Sequence, residues 1–140
     1  MREPLSYDIA RRAAEAVLDA ARAEGARVCA VVVNRSGVTK VLLADDGTGP
    51  IGIETARRKA YTAAVTGMST AALAALAADP VMAAAPPHLV DGQLLPVPGG
   101  HPVVVDDGEV IGGIGVGGGD GATDDRLAAE ALKAIAGLLA

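Results

Sequence analysis

The run HPVVVDDGEVIGGIGVGGGDG, residues 101–121, decides the fold. Two apolar stretches, HPVVV and EVIGGIGVGG, flank Asp106-Asp107-Gly108. An Asp-Gly pair in that setting predicts an antiparallel hairpin closed by a primed turn. The second stretch also spells Gly113-x-Gly115-x-x-Gly118, the letters of a dinucleotide-binding turn. Such a turn needs a strand before it, a helix after it, a parallel βαβ unit around it and an acidic residue about twenty positions on. Here the glycines follow a hairpin and no strand follows the last helical segment, so the fingerprint is rejected. Glycine inside an apolar strand still costs stability unless something approaches the backbone closely. A packed helix, a neighbouring subunit or a ligand would each serve. Gly117 to Gly121 read as a flexible turn into the last helix, whose free N–H groups could hold an anion.

Upstream, SYDIARRAAEAVLDAARAEG places Ile9, Ala13, Ala16, Val17 and Ala20 at helical spacing, with Ser6 as N-cap and Gly25 as stop. ARVCAVVVN and VTKVLLAD read as two strands joined through RSG. IGIETARRKAYTAAVTGM is a second helix whose Ala56, Ala60, Ala63 and Ala64 permit close backbone approach. STAALAALAAD is a shorter helix ended before Pro80. Residues 81–98 hold four of the eight prolines and are mostly irregular, with GQLLPV as a further strand. TDDRLAAEALKAIAGLLA closes the chain as a helix capped by Thr123 or Asp124, with Leu127, Ala131, Leu132, Ile135 and Leu138 on one face. Hairpins rather than crossovers join the strands. The expectation is an α+β fold, an antiparallel sheet of about five strands with helices packed on it, in one domain spanning residues 1–140.

Composition narrows the function. The 140 residues carry 12 Lys and Arg against 17 Asp and Glu, a formal charge of −5, which opposes the basic stripe that nucleic-acid binding needs. No apolar run approaches the ~20 residues of a membrane span, and MREPLSYDIARRAAEAV lacks the apolar region of a secretory signal, so a cytoplasmic protein is expected. Cys29 is the single cysteine, which rules out an internal disulfide. In RVCAVVVN it reads as a buried, inert thiol. With Tyr7 and Tyr61 the only aromatics, small side chains must fill the core, and a homo-oligomer would add the burial they lack.

Three segments, in this order and spacing, resemble the GlcG/HbpS family of small heme- and corrinoid-associated proteins. They are ETARRKAYTAA, PVPGGHPVVVDDGEVIGGIGVGG and DDRLAAEAL. The resemblance implies a profilin-like α-β-α sandwich, assembly into dimers to octamers, and heme among the ligands. Lys59 matches the lysine of the family's helix, Gly99, Gly100 and Pro102 its PGG-P turn, and Asp124 the acid opening its last helix. His101 departs from the pattern where an aliphatic residue is usual, as do Gly117 at a common Ser and Asn34 at a common Asp.

Both histidines can serve as base, acid or ligand near neutral pH. His88 lies in a Pro-rich loop and reads as a solvated surface residue. His101, between two glycines and Pro102, either acts on a ligand or makes a loop hydrogen bond. Two histidines without clustered carboxylates or thiolates make no closed zinc shell, so no metal site is expected. Glu54 and Arg58, four apart, can pair at the surface. Arg57 and Tyr61 share one helical face and Lys59 lies roughly opposite. By the resemblance Lys59 faces a cleft, where it neutralises a carboxylate of a ligand or of Asp124. For heme, the axial donors on offer are His101, Tyr61, Met68 and Cys29.

Two functions compete. One is a small-ligand-binding protein taking heme, another tetrapyrrole or a small organic acid. Its expected contacts are Gly99, Gly100, His101, Gly117, Gly118, Arg57 and Tyr61. The other is a cofactor-independent isomerase, lyase or cyclase. There His101 is general acid or base, Lys59 and Arg57 hold a small anionic metabolite, and glycine-turn N–H groups stabilise an oxyanion. In both, the PGGHP turn, the glycine-rich turn and Lys59 are expected to converge on one cleft. The Asp107–Gly108 turn would lie a strand length away, about 17–24 Å, and be free of ligand.

Overall fold

The computed structural model describes residues 3–139. Four strands, β1 (Cys29–Asn34), β2 (Thr39–Ala44), β3 (Gly100–Val104) and β4 (Val110–Gly117), form one antiparallel sheet in the order β2-β1-β4-β3. Helix α2 (Pro50–Thr66) lies on one face, and α1 (Tyr7–Ala23) and α5 (Gly121–Ile135) lie side by side on the other. The short helices α3 (Thr70–Ala77) and α4 (Pro87–Val90) follow α2. This is the expected α+β sandwich, with four strands against about five. GQLLPV is not a strand: residues 92–97 lie in turns and irregular backbone beside α2.

The glycines of β4 seat a helix. A Cβ on Gly113, Gly115 or Gly117 would lie 2.3, 2.1 or 2.2 Å from the carbonyl oxygens of Ala60, Ala56 and Gly52 respectively. Two strand residues advance about 6.7 Å and four helical residues about 6 Å, so the two repeats stay in step over the length of contact. Gly52, Ala56 and Ala60 therefore lie backbone-on-backbone over the glycines. Cys29, Val31 and Val33 of β1 pack beside them with Ala56, Ala60 and Ala64. Of the three causes open from sequence, the structure selects the packed helix.

On the opposite face Ala30, Val32, Ile114 and Val116 meet Ala10, Ala13, Val17 and Ala21 of α1 and Leu127, Ala128, Ala131 and Ile135 of α5. The buried face of α1 is turned by about one residue from the expected one, with Ile9, Ala16 and Ala20 at its margin. Leu138 falls beyond the end of α5 and is exposed. Ser6 caps α1 as expected, accepting from the N–H of Ile9 at 3.1 Å. The cap of α5 is neither Thr123 nor Asp124 but Asp120, whose carboxylate accepts from the N–H of Thr123 at 2.8 Å. The β3–β4 turn also differs from expectation. Only Gly108 has positive φ (+87°), and its N–H donates to Val105 O at 2.9 Å, giving a type I turn with a glycine bulge instead of a primed turn.

Two features fasten the margins. Asp45, at the end of β2, accepts from Arg22 of α1 at 2.8 and 2.9 Å and from Arg27 at 3.3 Å. The outward backbone groups of edge strand β3 are met at Gly100, whose N–H donates to the Thr70 hydroxyl at 2.8 Å. The next outward position is Pro102, which has no N–H to offer.

Candidate functional site

Helix α2 lies on the glycines so closely that its own carbonyls fill the space, leaving one opening where β4 ends. A cleft of about 350 Å³ lies there, lined by Ile51, Gly52, Thr55 and Lys59 of α2, Leu95 and Val97 of the irregular segment, and Gly118, Gly119, Gly121 and Asp124. Lys59 is its buried charge. The ammonium donates to Val116 O at 2.9 Å and to Asp124 Oδ2 at 3.2 Å, with both side chains under 5% exposed. The other carboxylate oxygen of Asp124 accepts from the N–H of Gly119 at 3.1 Å. Burial pushes the Asp124 carboxyl above its usual range, an effect that Lys59 and the Gly119 N–H oppose. The pair ties α2 to the first turn of α5 around the end of the sheet, since the two helices occupy opposite faces.

The predicted residues are distributed over three places. Lys59 and Gly118 line the cleft. Gly99 is pressed against Lys59, so a Cβ there would sit 2.7 Å from Nζ, and Gly100 lies against the Lys59 carbonyl. Gly117 lies under Gly52, where it serves packing.

His101 is elsewhere. Side chains alternate along a strand, so His101 faces α5 while Gly100 faces α2. There its Nε2 meets Asp125 Oδ1 at 2.9 Å, with the imidazole about one-fifth exposed. The carboxylate holds the proton on Nε2 in the neutral ring and leaves the Nδ1 lone pair available.

Arg57 and Tyr61 form the third group. Arg57 binds Glu54 at 2.6 Å and Gln93 at 3.0 Å; Arg58 meets Glu54 at 2.9 Å, as the spacing suggested, and Gly92 O at 3.3 Å. The Tyr61 hydroxyl donates to Asp91, and the Leu95 N–H donates to Thr62 Oγ1 at 2.9 Å. These bonds strap residues 91–95 onto α2, and the strap carries Leu95 and Val97 to the cleft wall. Glu54, between two guanidinium groups, is held down at about 2.

The arrangement expected of an enzyme, with His101, Lys59 and Arg57 around one substrate, is thus not assembled within this chain. Among the other axial donors, Cys29 is buried with its thiol pushed up to about 11 by desolvation, Tyr61 is committed to Asp91, and Met68 is half-buried. His88 is exposed on α4, as its reading as a surface residue expects. No group of three or more His, Cys, Asp or Glu able to hold a metal ion occurs among the described residues. No single described helix is long and apolar enough to cross a membrane. Sequence reasoning missed Ile51, Gly52, Thr55, Leu95, Val97 and Asp125. Asp125 had a readable signal, being the neighbour of Asp124 in the motif opening the last helix.

Known proteins share this architecture. The family described as haem-degrading protein HbpS-like matches residues 5–133. An HbpS double mutant from Streptomyces reticuli superposes with a TM-score of 0.83 at 35% identity, over 94% of this chain and 86% of that one. PduOC, crystallised as a heme complex, gives a TM-score of 0.84 at 26% identity over 94% of both chains. Protein ORFY of Klebsiella pneumoniae gives 0.83 at 28%, over 91% of this chain and 88% of that one. No curated protein sequence matches.

Proposed function

The chain belongs to the HbpS-like family, and from that premise we propose that it is a heme-binding protein, with His101 as the iron ligand. The observation that carries this reading is the PduOC–heme complex, a relative superposing over 94% of both chains. The donor set of this chain fits the group. His101 is half-buried on the sheet face opposite the glycines, and a carboxylate bonded to the far nitrogen of an imidazole orients the ring and raises its basicity toward iron. Heme would supply the iron centre; His101 would hold it and Asp125 would fix the ring. This chain would wall one side of a macrocycle. Completion by a second copy in a homo-oligomer, expected from the small-residue core, would supply the missing wall.

Titration of the purified protein with hemin, followed at the Soret band, tests this. A saturable one-to-one shift is expected, lost in His101→Ala and kept in His88→Ala. Failure to exceed the response of a control protein would refute heme binding, and a band unchanged in His101→Ala would refute the ligand assignment.

A further inference from the structure

Strand β2 is an open border of the sheet. The N–H of Asp45 donates to Val28 O at 3.2 Å, and the β1–β2 register then puts the inward bonds on Val41, Leu43 and Asp45. The N–H and C=O groups of Leu42 and Ala44 therefore point outward, with no backbone partner among the described residues. Helix α1 lies over β1 and β2 alike and runs in the direction of β2. Glu3, just ahead of the helix, approaches Lys40 at 3.8 Å, and Arg22, near its end, bonds Asp45 at 2.8 Å. One helical turn back from Arg22, on the same face, is Leu18; two strand residues back from Asp45 is Leu43. Those steps are about 6 Å and about 6.7 Å, so the two leucines stand at one level along the border. Each is only partly buried.

We propose that this border docks a second copy of the chain, β2 against β2 and antiparallel, about a two-fold axis at Leu43 that sets Leu42 opposite Ala44 of the second copy. Each such pair exchanges both its backbone hydrogen bonds, and the axis repeats the pair. Because α1 straddles β1 and β2, it stands one strand spacing from the axis. The two copies of α1 then lie about 10 Å apart, the distance at which helices pack. Leu18 and Leu43 of both copies close around the axis as one apolar cluster. The charges agree with this register. Lys40 comes opposite Asp46 of the second copy, and Glu15 comes nearest Arg22 of the second copy. Asp46 is exposed in the turn after β2, and Lys40 is held within its own chain only by the long contact to Glu3. A border whose cation and acid answer each other about an axis is self-complementary, as an isologous interface must be. His101 lies on β3, the opposite edge, so the pairing neither covers the proposed iron ligand nor rests on heme binding.

Light scattering after size exclusion reads the mass in solution, with circular dichroism as the check that each variant folds. The parent is expected at twice the chain mass, or at an even multiple of it if a second surface also assembles. Asp46→Lys and Lys40→Glu should each weaken the pair by about tenfold, because each sets like charges opposite one another twice about the axis. The double variant Lys40→Glu/Asp46→Lys should restore it. Leu43→Cys places two thiols at a non-hydrogen-bonded pair, with Cα atoms about 4.5 Å apart and within disulfide reach. Mild oxidation should link copies through that position and not through Val104→Cys, which is exposed on the β3 edge, while Cys29 is buried and takes no part. A parent of single-chain mass up to its highest soluble concentration, an assembly that both charge variants leave intact, or linkage no greater at Leu43→Cys than at Val104→Cys would each overturn the proposal.

Discussion

Replacing Gly115 by alanine places a methyl group 2.1 Å from the Ala56 carbonyl oxygen and 2.5 Å from the Ala60 nitrogen. Side-chain Cβ atoms keep at least 3.0 Å from such neighbours, so helix and strand must part by about 0.9 Å, the difference between 3.0 and 2.1 Å. The obstacle is backbone, and trimming the Ala56 side chain gives no relief. Overpacking of this kind costs about 1–3 kcal/mol, and the rigid helix backbone puts this site at the upper end. Loss of glycine's freedom in the unfolded chain returns about 0.4–1 kcal/mol. The expected net loss is about 2 kcal/mol, which for a chain of this length lowers Tm by about 7 °C. Urea unfolding followed by circular dichroism at fixed protein concentration measures it. Gly92→Ala is the control, since nothing lies within 4 Å of its added Cβ and its φ is not positive. A Gly115→Ala stability within 0.5 kcal/mol of the parent, by the same criterion that separates neutral surface changes, would refute the seating of α2 on the glycines.

Breaking the buried pair by Lys59→Met alone should cost about 3–5 kcal/mol, because Asp124 is left buried and unmatched, while Lys59→Met/Asp124→Leu should recover most of that loss in the same unfolding assay. Asp45 is held below its ordinary carboxylate range, chiefly by hydrogen bonding to Arg22, so its stabilisation is present above about pH 4 and fades as pH falls through the lower folded value. Urea midpoints between pH 2 and 7 should therefore drop less steeply toward acid in Asp45→Asn than in the parent. Cys29, buried against α2 with its thiol pushed up to about 11, should resist iodoacetamide at pH 8 in the folded protein and react on unfolding in urea, as mass spectrometry would read.

Much of the fold is local and so was legible. Ser6, the Asp107–Gly108 pair and the alanine spacing of the second helix each act within a few residues, and each fixes an element. What the letters could not give is which neighbour the glycines serve, because a stripe at strand period fits a helix, a subunit or a ligand equally. The turn type was misread because Asp-Gly suits both a primed turn and a type I turn with a bulge, and the choice depends on strand twist. GQLLPV has strand composition, but Tyr61, Arg57 and Thr62 hold it as a strap, through partners about thirty residues away. Likewise Asp45 draws its partners from positions 22 and 27, beyond any local pattern. At the site, Lys59 and Asp124 were readable as a pair. The separation of His101 from them follows from one-residue alternation along β3, which the flanking glycines obscure.

Thr70 and Pro102 together close much of one edge of the sheet to strand addition. Association through backbone pairing is then confined to the β2 side, where a two-fold partner would use up the edge of both copies. A pair made that way would leave a third chain only the partly closed β3 border, so growth of a fibre through the sheet is disfavoured beyond two copies.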